Sequence, residues 1–223
     1  LGNLDLATTL VNDYGAAVDA ASEIGTTPLF AASSRGQTNM AAWLVDAAGA
    51  AVEVGTVDGS TPLLIAAENG FLDTVQWLVD EGGAVAGGTA HDGTTPLLAA
   101  AHNGHIAVVD WLVGTAGVDV DAATLGQRAT PLYVAALRGH AATVVCLLHH
   151  GADARAVLDS GLTPLSAAAA EGHADVVDAF LSTRTVTSAE MAEARRAAVD
   201  AGRDDVVLLL GRHLRQGGMP GSA

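Results

Sequence analysis

Asp92-Gly93-Thr94-Thr95-Pro96-Leu97-Leu98-Ala99-Ala100-Ala101-His102-Asn103-Gly104-His105, followed two residues later by Val108-Val109-Asp110-Trp111-Leu112-Val113, spells out one complete structural unit. Asp-Gly forms a tight turn because glycine tolerates positive φ. Thr95 can cap a helix through its hydroxyl, and Pro96 suits the first helical turn, where its missing N–H costs nothing. Small alanines keep that helix narrow, Gly104 ends it near His105, and the Val-Val-x-x-Leu spacing predicts a second helix with one apolar stripe. The unit therefore reads turn, helix, loop, helix.

The same punctuation recurs. Thr-Pro-Leu stands at Thr27-Pro28-Leu29, Thr61-Pro62-Leu63, Thr95-Pro96-Leu97, Thr130-Pro131-Leu132 and Thr163-Pro164-Leu165, with prolines 34, 34, 35 and 33 residues apart. A fixed period in the low thirties means one supersecondary unit copied along a stack, each copy burying its apolar face only against its neighbours. The expected organisation is a single array over 1–215: a partial N-terminal copy at 1–21, full copies at 22–55, 56–89, 90–124, 125–157 and 158–186, and a degenerate capping copy at 187–215. Leu4 to Asp19 reads as the second helix and outgoing loop of the partial copy, and Thr187-Ser188-Ala189-Glu190 offers a capping box to the terminal one. Residues 216–223 are rich in Gly, Pro and Ser and are expected to be disordered.

The anchors Asp-Gly, Thr-Pro-Leu, Ala-Ala, Gly-His and Val-Val-x-Leu-Leu, and Gly151-Ala152-Asp153 in the fourth copy, resemble the ankyrin repeat over about nine-tenths of the chain. The resemblance implies an all-α solenoid of stacked helix-turn-helix hairpins joined by β-turn-like loops. It also implies a non-enzymatic scaffold or adaptor that holds a protein partner in a groove lined by turn tips and first helices. Carried over by register, the turn positions are Val57, Asp58 and Ser60; His91, Asp92 and Thr94; Gln127; and Asp159, Ser160 and Leu162. The first-helix positions are Ser34, Arg35, Glu68, Asn69, His102, Asn103, Leu137, Arg138, Ala170 and Glu171. These vary from copy to copy while the anchors persist, as expected if they carry specificity and the anchors carry folding.

Two features depart from the family pattern. The histidine that follows Thr-Pro-Leu in the family is replaced by Phe30, Leu64, Leu98, Tyr133 and Ser166, which predicts an intact fold with less polar contacts between copies. Were Leu64, Leu98 and Tyr133 exposed, they would suit a chaperone-like binder of hydrophobic segments. Tryptophan also recurs at one place in three successive second helices, as Trp43, Trp77 and Trp111. These indoles either fill space left by alanine or form an aromatic ridge. The ridge supports an alternative role: a structural subunit of a large, even organellar, assembly, docked through its Trp-bearing flank or its stack ends.

Composition narrows the function. The 223 residues carry a formal charge of −15 with no lysine, which opposes binding to nucleic-acid phosphates and favours a partner with a basic or neutral surface. No apolar run is long enough to span a bilayer, so direct membrane insertion is not expected despite a mean hydropathy of +0.35. The single cysteine, Cys146, lies in an apolar helical pattern and reads as packing rather than a nucleophile, in keeping with a reducing intracellular setting, the cytoplasm or an organelle. His105, His140 and His173 occupy a structural Gly-His position, and His102 and His105, three apart, straddle a glycine at a helix end with no cysteine or carboxylate at zinc spacing beside them, so no metal, cofactor or catalytic residue is assigned. The sequence opens at Leu1 rather than methionine, which fits a truncated start or a removed targeting peptide.

Overall fold

The computed structural model describes residues 3–217, and within them every regular element is an α-helix. The chain divides into two compact units, Leu1–Asp119 and Val120–Ala223. The first holds α1 (Leu4–Asn12), α2 (Pro28–Ser33), α3 (Thr38–Asp46), α4 (Pro62–Glu68), α5 (Leu72–Asp80), α6 (Pro96–His102) and α7 (Ile106–Gly114). The second holds α8 (Pro131–Leu137), α9 (Ala141–His149), α10 (Pro164–Glu171), α11 (Ala174–Ser182), α12 (Ser188–Asp200) and α13 (Asp204–Gly217). Helix α13 runs two residues into the stretch read as a tail, and 218–223 lie outside the described residues.

Each Thr-Pro-Leu starts a first helix by the same chemistry. The hydroxyl oxygens of Thr27, Thr61, Thr95, Thr130 and Thr163 accept the N–H of Phe30, Leu64, Leu98, Tyr133 and Ser166 at 3.0–3.2 Å. Such caps contribute about 1 kcal/mol apiece. The leucines Leu29, Leu63, Leu97, Leu132 and Leu165 are all buried, each worth about 2 kcal/mol on apolar burial. First helices pack on first helices within each unit, α2 on α4 on α6 and α8 on α10 on α12. Second helices follow, α3 on α5 on α7 and α9 on α11 on α13, through Leu44, Leu78, Leu112, Leu147 and Phe180.

Polar links between successive copies survive the loss of the family histidine, because they run elsewhere. Nε2 of His105 meets the Glu68 carbonyl at 2.9 Å, that of His173 meets the Leu137 carbonyl at 3.0 Å, and Nε of Arg203 donates to the Ala170 carbonyl at 2.9 Å. The His105 ring lies over Gly70, where a Cβ would come within 2.5 Å of Nδ1, so glycine is needed there for space as well as for its φ of +77°. In the loops, the carboxylates of Asp19, Glu53 and Asp121 accept the N–H of Ala51, Val85 and Asp153, each one copy ahead. At the fifth copy Thr163 donates its hydroxyl to Ser166 Oγ at 3.0 Å, so a polar contact is kept at that one family-histidine position. Leu64, Leu98 and Tyr133 are 4%, 6% and 6% exposed. That burial leaves no broad apolar face of the chaperone-like kind, and Leu64 and Leu98 reach the surface only where they line a groove.

The terminal copy replaces Thr-Pro-Leu with a longer helix and a different start. Thr187 caps α12 through the Glu190 N–H, and the Glu190 carboxylate accepts the Thr187 N–H in return, completing the capping box. Arg155, from the loop before α10, pairs with the same carboxylate at 2.7 Å.

Candidate functional site

The turn that precedes each first helix is what projects polar groups beside the helix that follows it. Asp58 sits between Thr56 and Ser60 and binds both hydroxyls, while Asp92 Oδ1 accepts the Thr94 N–H at 2.9 Å, so each aspartate folds its own turn into a rigid loop. The turns then stack, with the His91 N–H donating to the Asp58 carbonyl at 3.0 Å and the Val57 N–H to the Ile24 carbonyl at 3.1 Å. In the second unit the Asp159 N–H makes the same kind of contact to the Gln127 carbonyl at 3.3 Å.

Between the second and third copies, entirely within the first unit, this stacking leaves an open cavity of about 440 Å³. Its rim comes from the two turns, through Asp58, Ser60, His91, Asp92 and Thr94, and from the ends of α4 and α6, through Glu68, His102 and Asn103. All eight are among the positions assigned by register. Its floor is Leu64, Ala90, Leu98 and Ala99, of which Leu64, Ala90 and Ala99 form one buried apolar cluster.

Of the floor, the sequence singles out Leu64 and Leu98 only as contacts of a chaperone-like binder, and Ala90 and Ala99 not as contacts at all. Leu64 and Leu98 stand where the family pattern has histidine, and that substitution was the available signal: replacing an imidazole by isobutyl turns a polar groove wall into an apolar one.

Electrostatically the cavity is anionic. The Thr56 hydroxyl bonded to Asp58 holds its carboxyl below the usual carboxylate range, against the partial desolvation that opposes it. The Thr94 N–H does the same for Asp92, overcoming both desolvation and the neighbouring charge of Asp58. Both therefore stay ionised well below neutral pH. No lysine or arginine lines the cavity.

The remaining assigned positions lie on the surface outside this cavity. Val57, Asn69 and Arg35 are exposed and Ser34 is half-buried; the Arg35 guanidinium and the Ser34 hydroxyl both fold back onto the Ala31 carbonyl. In the second unit Gln127, Arg138, Asp159, Ser160, Leu162 and Glu171 are exposed, and Leu137 and Ala170 half-buried. The tryptophans Trp43, Trp77 and Trp111, on α3, α5 and α7, are neither core nor fully exposed but half-buried. Cys146, on α9, is also half-buried.

A sequence model of the family described as Ankyrin repeats (3 copies) matches the chain over residues 1–86, 41–124, 97–190 and 132–215, overlapping windows that together span nearly its full length. A search of curated proteins found no match.

Proposed function

Because the chain belongs to the ankyrin-repeat family, whose repeats generally mediate protein–protein interactions, we propose that it is a non-enzymatic scaffold or adaptor that binds a partner protein through the groove beside its first helices and turn tips. The observation carrying this reading is the cavity between the second and third copies, where rigid turns present hydrogen-bonding side chains around an apolar floor. That combination suits a peptide or loop: apolar contact supplies affinity and the polar rim selects the sequence. The net charge of −15 directs the choice towards a basic or neutral protein surface and away from nucleic acid. No helix among the described residues is long and apolar enough to cross a membrane.

The half-buried indoles of Trp43, Trp77 and Trp111 favour a second reading, in which α3, α5 and α7 dock on a larger assembly and the groove is secondary. Affinity capture with mass spectrometry separates the two, using wild type, Glu68→Arg/Asp92→Arg and Trp77→Ala, each first shown by circular dichroism to fold. Partners lost only with the groove variant support the adaptor. Partners lost only with Trp77→Ala support the docked subunit, and partners kept by both variants reject both surfaces.

A further inference from the structure

The cavity between the second and third copies has a chemistry more specific than a general protein groove. Residues 1–119 contain fourteen of the 25 carboxylates but only one of the ten arginines, Arg35, whose guanidinium is turned onto the Ala31 carbonyl. Three of those carboxylates, Asp58, Glu68 and Asp92, stand on the rim beside His91 and His102, and no lysine or arginine of the chain lines it. Below the rim lies an apolar floor of Leu64, Leu98 and alanine. A simple anion-rich surface would have polar groups throughout, and a simple hydrophobic groove would not carry three carboxylates at its edge.

An aliphatic stem ending in a planar cation satisfies both layers at once: the methylenes cover the apolar floor and the guanidinium donates bidentate hydrogen bonds to a carboxylate. We infer that this groove accepts an extended, arginine-bearing segment of a partner protein, the arginine lying over Leu64 and Leu98 with its guanidinium held by Asp92, Asp58 and Glu68. The inference rests on the reading of this groove as a binding surface and names its class of partner. It belongs to these two copies alone. In the fourth copy the register position of Asp58 and Asp92 is Gln127, that of Glu68 is Leu137, and that of Asn103 is Arg138.

The test is titration of the full chain with an acetylated, amidated nonapeptide of Gly and Ser carrying two arginines, followed by amide NMR shifts and fluorescence anisotropy. The matched control peptide has citrulline for arginine, which keeps the shape and removes the charge. The expected result is shifts concentrated at Ser60, Thr94 and Asn103, at least tenfold weaker binding of the citrulline peptide, and at least tenfold weaker binding of the arginine peptide by Asp92→Asn/Glu68→Gln. Asparagine can still accept the turn hydrogen bond, so the turn is retained. Asp46→Asn/Asp80→Asn, which removes the same charge from second helices, should change affinity less than twofold. Equal loss with that control, or equal binding of spermine at scattered sites, would overturn the proposal in favour of a diffuse acidic field. Failure of both peptides, while Glu68→Arg/Asp92→Arg still abolishes capture of a protein partner, would leave the groove as the binding surface and reject arginine as its ligand.

Discussion

At the residue scale, one side chain in the first copy is out of keeping with its surroundings. Ser33 closes α2, is fully buried, and its hydroxyl oxygen has no hydrogen-bond partner. The same register holds Ala67, Ala101, Ala136 and Ala169 in the other full copies, all of them buried in first helices. A buried hydroxyl without a partner costs about 1–3 kcal/mol of lost hydration, and serine is also a poorer helix former than alanine. Ser33→Ala should therefore raise the urea midpoint by an amount equivalent to about 1 kcal/mol at unchanged slope; an unchanged midpoint would mean that the hydroxyl finds water. A second misfit is Arg128, which adopts φ +58° at the turn position held by Gly25, Gly59, Gly93 and Gly161 in the other copies. The turn at Gln127 was legible from the register. That an arginine would accept the left-handed conformation was not, since local preference argues against it and only the fixed geometry of the turn imposes it.

At the element scale, the helix starts were the most legible part of the chain, because a cap is a local bond between residues three apart. The capping box of α12 could be read from Thr187 and Glu190 alone, whereas the Arg155 that joins it from 35 residues away could not. The loop carboxylates of Asp19, Glu53 and Asp121 were invisible for the same reason: their N–H partners are a whole copy distant and are defined only once the copies stack. The groove floor falls between these cases, since the substitution at the family-histidine position was visible but its burial was not. For Glu190, burial alone would raise the carboxyl pKa, but the Thr187 N–H and hydroxyl together with Arg155 outweigh it and leave the value lowered. A lowered folded-state pKa contributes stability that is present above the unfolded value and is lost as pH falls through the folded one. Glu190→Gln preserves the shape and the cap while removing the charge, so at pH 7 it should cost about 0.5 kcal/mol, a small figure because Arg155 is well exposed. At pH 3, below the ordinary glutamate range, the difference from wild type should be smaller. Urea unfolding at the two pH values checks this, and a cost undiminished at pH 3 would assign the effect to packing.

At the scale of the whole molecule, the same imbalance that points the groove towards arginine also acts against the folded state. Folding brings like charges together, and residues 1–119 have a single arginine to offset fourteen carboxylates. Asp19 and Glu53 are partly compensated by the backbone N–H groups they accept, but most of the others face solvent. Their repulsion acts through water over distances comparable with the Debye length, which is about 10 Å at 0.1 M salt and about 30 Å at 0.01 M. Screening should therefore stabilise this protein, whereas a chain held by surface ion pairs would be weakened by salt. Raising sodium chloride from 10 mM to 300 mM at pH 7 should increase Tm by about 3–6 °C, the shift produced by roughly 1 kcal/mol in a domain of each unit's size. Thermal melts followed by circular dichroism across the salt series decide the matter: a fall in Tm with salt would mean that the attractive pairs, Arg155 with Glu190 foremost, outweigh the repulsion.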